Sequence, residues 1–119
     1  MKQTIGFTLS IFLAVLLLAV LYSAPAAGQT KLDGKTIFLA QKCNLCHSVE
    51  SAGIARTTKS EKMAGPELTD LAAKADAEFL GKYLRKTADL KGKKHGKQFT
   101  GSDEELGALL AWLQQQKKK

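Results

Sequence analysis

The chain has 119 residues, with 18 Lys or Arg against 11 Asp or Glu and a formal net charge of +7. That length fits one small domain, and no internal repeat or low-complexity linker divides it. The basic residues are not interleaved with aromatics, which argues against a nucleic-acid partner.

Residues 1–28 read as a secretory signal. Lys2 supplies a short positive start, Ile11 to Leu21 form an apolar run, and Ser23-Ala24-Pro25-Ala26-Ala27-Gly28 offer small residues to signal peptidase. Cleavage after Ala26 puts Ala24 and Ala26 at the two small positions, and a cut after Gly28 is an alternative. A retained leader would be an anchor: Ile5 to Tyr22 spans 18 residues, near the lower limit for crossing a bilayer, but Gly6, Thr8 and Ser10 dilute it. Removal leaves a mature domain over 29–119, about ninety residues, a size that usually needs a staple or prosthetic group to be stable. Loss of Lys2 takes the 18 basic side chains to 17 and the net charge from +7 to +6.

Helical patterning dominates the mature chain. Asp33 is a good N-cap, and Ile37, Phe38 and Leu39 followed by Lys42 predict a first helix from about Gly34 to Lys42. It runs into Cys43-Asn44-Leu45-Cys46-His47. C-x-x-C-H is the spacing at which a polypeptide is joined covalently to haem. Two thiols so spaced reach the two vinyl groups of one porphyrin, and the next residue presents an imidazole to the iron. The same residues admit other chemistry. A dithiol redox site calls for a βαβ context that the helical pattern does not offer. A structural zinc site needs four ligands, and of the two Cys and two His in the chain, His95 stands far from the cluster. A simple disulfide is the remaining alternative.

In this motif the chain resembles the class I c-type cytochromes. The resemblance implies an all-α fold, a small cytochrome c-like domain of three to four helices packed around one covalently attached haem c. Cys43 and Cys46 would form the thioether bonds and His47 would be the proximal iron ligand. It also implies that the first helix ends at the first haem cysteine, with Phe38 facing the porphyrin or the last helix. Export agrees with this, because haem is attached beyond the cytoplasmic membrane in the bacteria that the family represents. The expected location is periplasmic or otherwise exported, or the outer face of the cytoplasmic membrane if the leader stays.

From Ser48 to Lys62 no clean period is visible, and the segment reads as an exposed loop. It meets Gly65-Pro66-Glu67-Leu68, a Gly-Pro-x-Leu sequence that is the second point of resemblance. In the family the Pro carbonyl accepts a hydrogen bond from the proximal imidazole, fixing the ring and raising its basicity toward iron. Pro66 and Leu68 are carried over on that basis; alone, a Gly-Pro pair marks only a turn.

A short helix over Thr69 to Lys74 is expected next. Asp76 then caps a helix in which Phe79, Leu80, Tyr83 and Leu84 form an apolar stripe, read as core with the Tyr83 hydroxyl at the surface. Lys86 to Thr100 is basic and glycine-containing, with Lys91-Gly92-Lys93-Lys94-His95-Gly96-Lys97 at its centre, and reads as a loop. Ser102-Asp103-Glu104-Glu105 is a capping box. Leu106, Leu109, Leu110 and Leu113 follow it at helical spacing, which predicts a last helix from Asp103 to about Gln116. The resemblance implies that this helix crosses the first, with Gly34 allowing close approach and Trp112 filling the contact.

Class I members usually carry a Met, the sixth iron ligand, on the loop before the last helix; this chain has none there. His95 occupies that segment, 48 residues after His47 and seven before Ser102, and points to His/His ligation. Met63, two residues before Gly65-Pro66, and an open site are the alternatives. Lysines around this loop would ring an exposed haem edge and steer redox protein partners with an acidic docking surface, with a membrane involved only if the leader stays. The function implied is that of a one-electron carrier outside the cytoplasmic membrane. It is not enzymatic, since no distal acid/base constellation accompanies His95. A haem-based small-ligand sensor and a cytochrome subunit of a larger redox complex are the alternatives.

Made alongside a haem-maturation apparatus, the protein is expected to begin at Ala27 or Gln29 and to weigh one haem more than its polypeptide by mass spectrometry. Pigment that leaves in acidified organic solvent would refute covalent attachment.

Overall fold

The computed structural model describes residues 32–119, so the leader reading lies outside the described residues. Asp33 opens helix α1 (Gly34–Ala40) by accepting a hydrogen bond from Thr36 N at 3.1 Å, which satisfies one of the free amides of the first turn. The helix stops two residues before the expected Lys42. Lys42 adopts φ 56°, a left-handed conformation that ends the helical run and turns the chain into a 3-10 turn at Cys43–Leu45.

Of the exposed loop expected over Ser48 to Lys62, residues 55–62 form one, but 49–54 does not. Val49 and Ile54 pair through their backbones, Val49 N to Ile54 O at 2.9 Å and Ile54 N to Val49 O at 3.0 Å, around a 3-10 turn at Glu50–Ala52. Gly53, at φ 68°, closes it. This tight pairing turns both apolar side chains inward, and Val49 is 0% exposed.

Helix α2 (Leu71–Lys74) is a single turn, and helix α3 (Ala77–Leu84) begins where Asp76 accepts from Phe79 N at 2.8 Å. Helix α4 (Asp103–Gln114) has a complete capping box, with Glu105 N on Ser102 Oγ at 3.1 Å and Ser102 N on Glu105 Oε2 at 2.9 Å. Asp103, Glu104 and Glu105 lie in its first turn, where the helix dipole favours negative charge. It ends two residues short of Gln116. Among the described residues there are four α-helices and no strand longer than an isolated bridge.

The core lies where α1 crosses α4. Ile37 and Phe38 meet Leu106, Leu109 and Leu113, with Val49, Ile54, Ala72 and Phe99 completing the buried cluster. Gly34 sits at the crossing itself: a Cβ there would overlap Trp112 Cβ and lie 2.6 Å from the Ala108 carbonyl oxygen. One turn on, the Phe38 ring meets Trp112 with centroids 5.4 Å apart. Phe38 therefore faces the last helix. The stripe on α3 is not the core expected. Phe79, Leu80, Tyr83 and Leu84 are all partly exposed, because α3 rests on α4 around Gly81, where a Cβ would lie 3.6 Å from a Leu110 methyl. Of the four, Leu84 alone packs against the buried cluster.

Gly34→Ala is expected to cost about 2–3 kcal/mol of stability, since overpacking at the crossing outweighs the better helix propensity of alanine. Thermal or denaturant unfolding of the holoprotein measures it, and an unchanged midpoint would mean that α1 and α4 are free to move apart.

Candidate functional site

The 3-10 turn at Cys43–Leu45 is held by His47 N and Cys46 N donating to Cys43 O, at 3.0 and 3.2 Å. It carries Cys43 and ends at Cys46, and both side chains are half-buried. Burial pushes the Cys43 thiol above its ordinary pKa, with Lys97 and a backbone amide pulling the other way. That is the reverse of the lowered pKa that activates a redox dithiol. Among the described residues no three His, Cys, Asp or Glu side chains converge as a metal-binding group, so a zinc site lacks its ligands.

His47 follows the turn directly. Its Nδ1 donates to the Pro66 carbonyl at 2.8 Å, which leaves Nε2 as the lone-pair nitrogen. Burial is the main cause holding the imidazole below its ordinary pKa; the Pro66 carbonyl opposes the shift and His95 adds to it. The neutral, coordinating form is therefore favoured. Gly65 lies against the same ring, and a Cβ there would be 2.5 Å from Nδ1 and 2.8 Å from Nε2. Gly65 is in turn held by its N–H on the Cys46 carbonyl at 2.8 Å.

Glu67 ties this segment to the 49–54 turn. Its carboxylate accepts from Glu50 N at 2.7 Å, Thr69 N at 2.8 Å and Thr69 Oγ1 at 2.7 Å. Burial opposes its ionisation, but these donors hold its pKa below the ordinary range. Leu68 is half-buried against the core, and its N–H donates to Ser48 O at 3.0 Å.

His95 arrives from the other side of the site, on the loop between α3 and α4. Its ring lies nearly parallel to that of His47, at 8°, with centroids 6.0 Å apart. Its Nδ1 donates to the Lys97 carbonyl at 2.5 Å, so both imidazoles have Nδ1 on a backbone oxygen and Nε2 free. Tyr83 meets His95 edge-on at 5.2 Å and stacks on Phe79 at 5.8 Å. The feet of the loop are fastened by Arg85, which donates to the Phe99 carbonyl at 3.1 Å and pairs with Asp103 at 3.0 Å. Its guanidinium also lies 5.1 Å from the centre of the Phe99 ring.

The structure thus brings Cys43, Cys46, His47, Pro66 and His95 together. Phe38 instead belongs to the helix crossing, and Met63 is 50% exposed on a turn closed by Met63 N to Ser60 O at 3.1 Å. Gly65 as a wall of the imidazole, Lys97 as a carbonyl acceptor and Tyr83 beside His95 were not foreseen. A glycine before the Gly-Pro-x-Leu proline was the available signal for the first; the other two leave none in the sequence.

A comparison with family models matches cytochrome c over residues 32–117. Neither the curated proteins nor the solved structures provide a match. The family match takes in the whole described domain except its last two residues, including the Cys43–His47 turn and the loop that carries His95. On that ground the chain belongs to the cytochrome c family, whose members bind covalently attached haem c and typically carry electrons.

Proposed function

We propose that the protein is an exported monohaem electron carrier whose iron is held between His47 and His95, with Cys43 and Cys46 in the thioether bonds. One observation carries the ligation: two near-parallel imidazoles with ring centres 6.0 Å apart, each with Nδ1 committed to a backbone carbonyl. Two nitrogen-to-metal bonds of about 2 Å, plus about 1 Å from each nitrogen to its ring centre, put coaxial imidazoles about 6 Å apart. The observed ring spacing matches that figure and supports the reading. Exposure of Met63 on its own turn favours His95 over the thioether.

The haem supplies an iron that cycles between ferric and ferrous states. The chain's own part is to keep the geometry the same in both. The Pro66 carbonyl and the Gly65 backbone hold the His47 ring, and the Lys97 carbonyl orients His95. With two imidazoles in place, the potential falls below that of a His/Met relative, because Met ligation raises it. Export rests on the leader at residues 1–28. Among the described residues no helix is long and apolar enough to cross a membrane.

The exposed Lys91, Lys93, Lys94 and Lys97 surround His95 and favour a partner with an acidic docking face. Raising ionic strength from about 10 mM to about 150 mM is expected to slow electron transfer with an acidic redox protein by about tenfold. Stopped-flow kinetics measures this, and a rate indifferent to salt would remove the steering role.

For the ligation, the ferric wild type is expected to be low-spin by absorption and EPR, with no sulfur-to-iron charge-transfer band. His95→Ala should convert it to a five-coordinate, high-spin form that binds carbon monoxide rapidly once reduced. A sulfur band in the wild type, or an unaltered spectrum in His95→Ala, would overturn the assignment. Rapid carbon monoxide binding by the wild type would instead indicate a ligand-binding protein.

A further inference from the structure

We propose that Lys97 is a positioning residue that clasps the distal loop shut and thereby sets how readily His95 leaves the iron; this rests on the His47/His95 reading. Lys97 acts at both ends. Its carbonyl accepts from His95 Nδ1 at 2.5 Å, and its ammonium donates to the Gln41 carbonyl at 2.5 Å. Gln41 is the C-cap of α1, two residues before Cys43. A single residue therefore connects the distal imidazole to the segment that leads into the C-x-x-C-H turn.

The chemistry of each end suits the task. Carbonyls in the last turn of a helix lack intrahelical partners and carry the negative end of the dipole, so an ammonium is favoured there. Thr100 adds a weaker contact to the same residue, Oγ1 to Gln41 Oε1 at 3.4 Å. The loop has little else to hold it. Among the described residues no backbone group between Lys94 and Lys97 bonds to another backbone group; the flanking bonds are the Leu90–Lys93 pair and Phe99 N to Leu84 O. Segments so poorly tied open locally at small cost, and one charged bond then decides the rate.

Lys94 is the internal control. It is exposed on the same loop and has no hydrogen-bonded or ion-paired partner among the described residues, so its loss changes the charge equally and removes no tether.

Carbon monoxide binding to the ferrous holoprotein tests the clasp. The gas must wait for the His95 nitrogen to leave, and exchange of one neutral donor for another involves no redox change. Lys97→Met keeps the carbonyl and removes the ammonium, and is expected to raise the binding rate about three- to tenfold. Lys97→Gln, too short to reach Gln41, should repeat the increase, Lys97→Arg should restore the wild-type rate, and Lys94→Met should leave it unchanged. A wild-type rate in both Lys97→Met and Lys97→Gln, while His95→Ala is five-coordinate and fast, would overturn the clasp and leave the ligation standing. An equal increase in Lys94→Met would replace the tether with a charge effect. A His95→Ala protein with the wild-type spectrum would overturn the ligation, and the clasp with it.

Discussion

The hydrogen bond from His47 Nδ1 to the Pro66 carbonyl is the constraint to which the rest of the site answers. It decides which ring nitrogen carries the proton and which keeps its lone pair. The Gly65 backbone reaches the ring only because it carries no side chain, and it is itself bound to the Cys46 carbonyl. The proximal half is thus a closed circuit in which Cys43 and Cys46, next to His47 in the chain, and Gly65 and Pro66, from a distant segment, each supply a backbone group. Glu67 extends the circuit to the 49–54 turn, and that turn buries Val49 and Ile54 in the core. Disturbing the ring would propagate through this chain of hydrogen bonds rather than through loose packing.

The distal half is built differently. His95 stands on a lysine-rich segment whose feet are fixed by Arg85 and Phe99 but whose middle is held through side chains. If His95 ligates as proposed, an iron site with one stiff and one compliant side would keep its geometry during electron transfer and still exchange a ligand when the loop opens. The aromatic row of Phe79, Tyr83 and His95 limits where the imidazole can go, since Tyr83 meets it edge-on.

Much of this was legible in the sequence where the cause is local. Helix starts at Asp33, Asp76 and Ser102 follow from side chains that each cap the amide three residues ahead. The C-x-x-C-H turn is legible because all three residues that would hold the haem lie within five consecutive positions. Helix ends are harder, because Lys42 stops α1 through a backbone angle that no hydrophobic period encodes. Val49 and Ile54 went unrecognised because a two-residue bridge has no periodicity, and Phe99 because a single aromatic beside a run of lysines looks solvated. The α3 stripe misled for another reason: Gly81, which faces Leu106 and Leu110 of α4, lies off the stripe, so the packed face is rotated from the apolar one. The Lys97 acceptor is a main-chain oxygen and has no residue signature at all.

The Arg85 clamp has a consequence for how such a chain can vary. Because α3 and α4 grip both feet of the loop, the span between them closes over nearly the same gap whatever its length. Closure entropy grows only by about 0.6 kcal/mol for each doubling of a flexible loop. Insertions or deletions there would leave the helical frame and the cysteine turn undisturbed while relocating the residue offered to the iron. On the proposed ligation, one scaffold could therefore sample different axial donors, and so different potentials, by editing a segment that contributes nothing to the core between its feet.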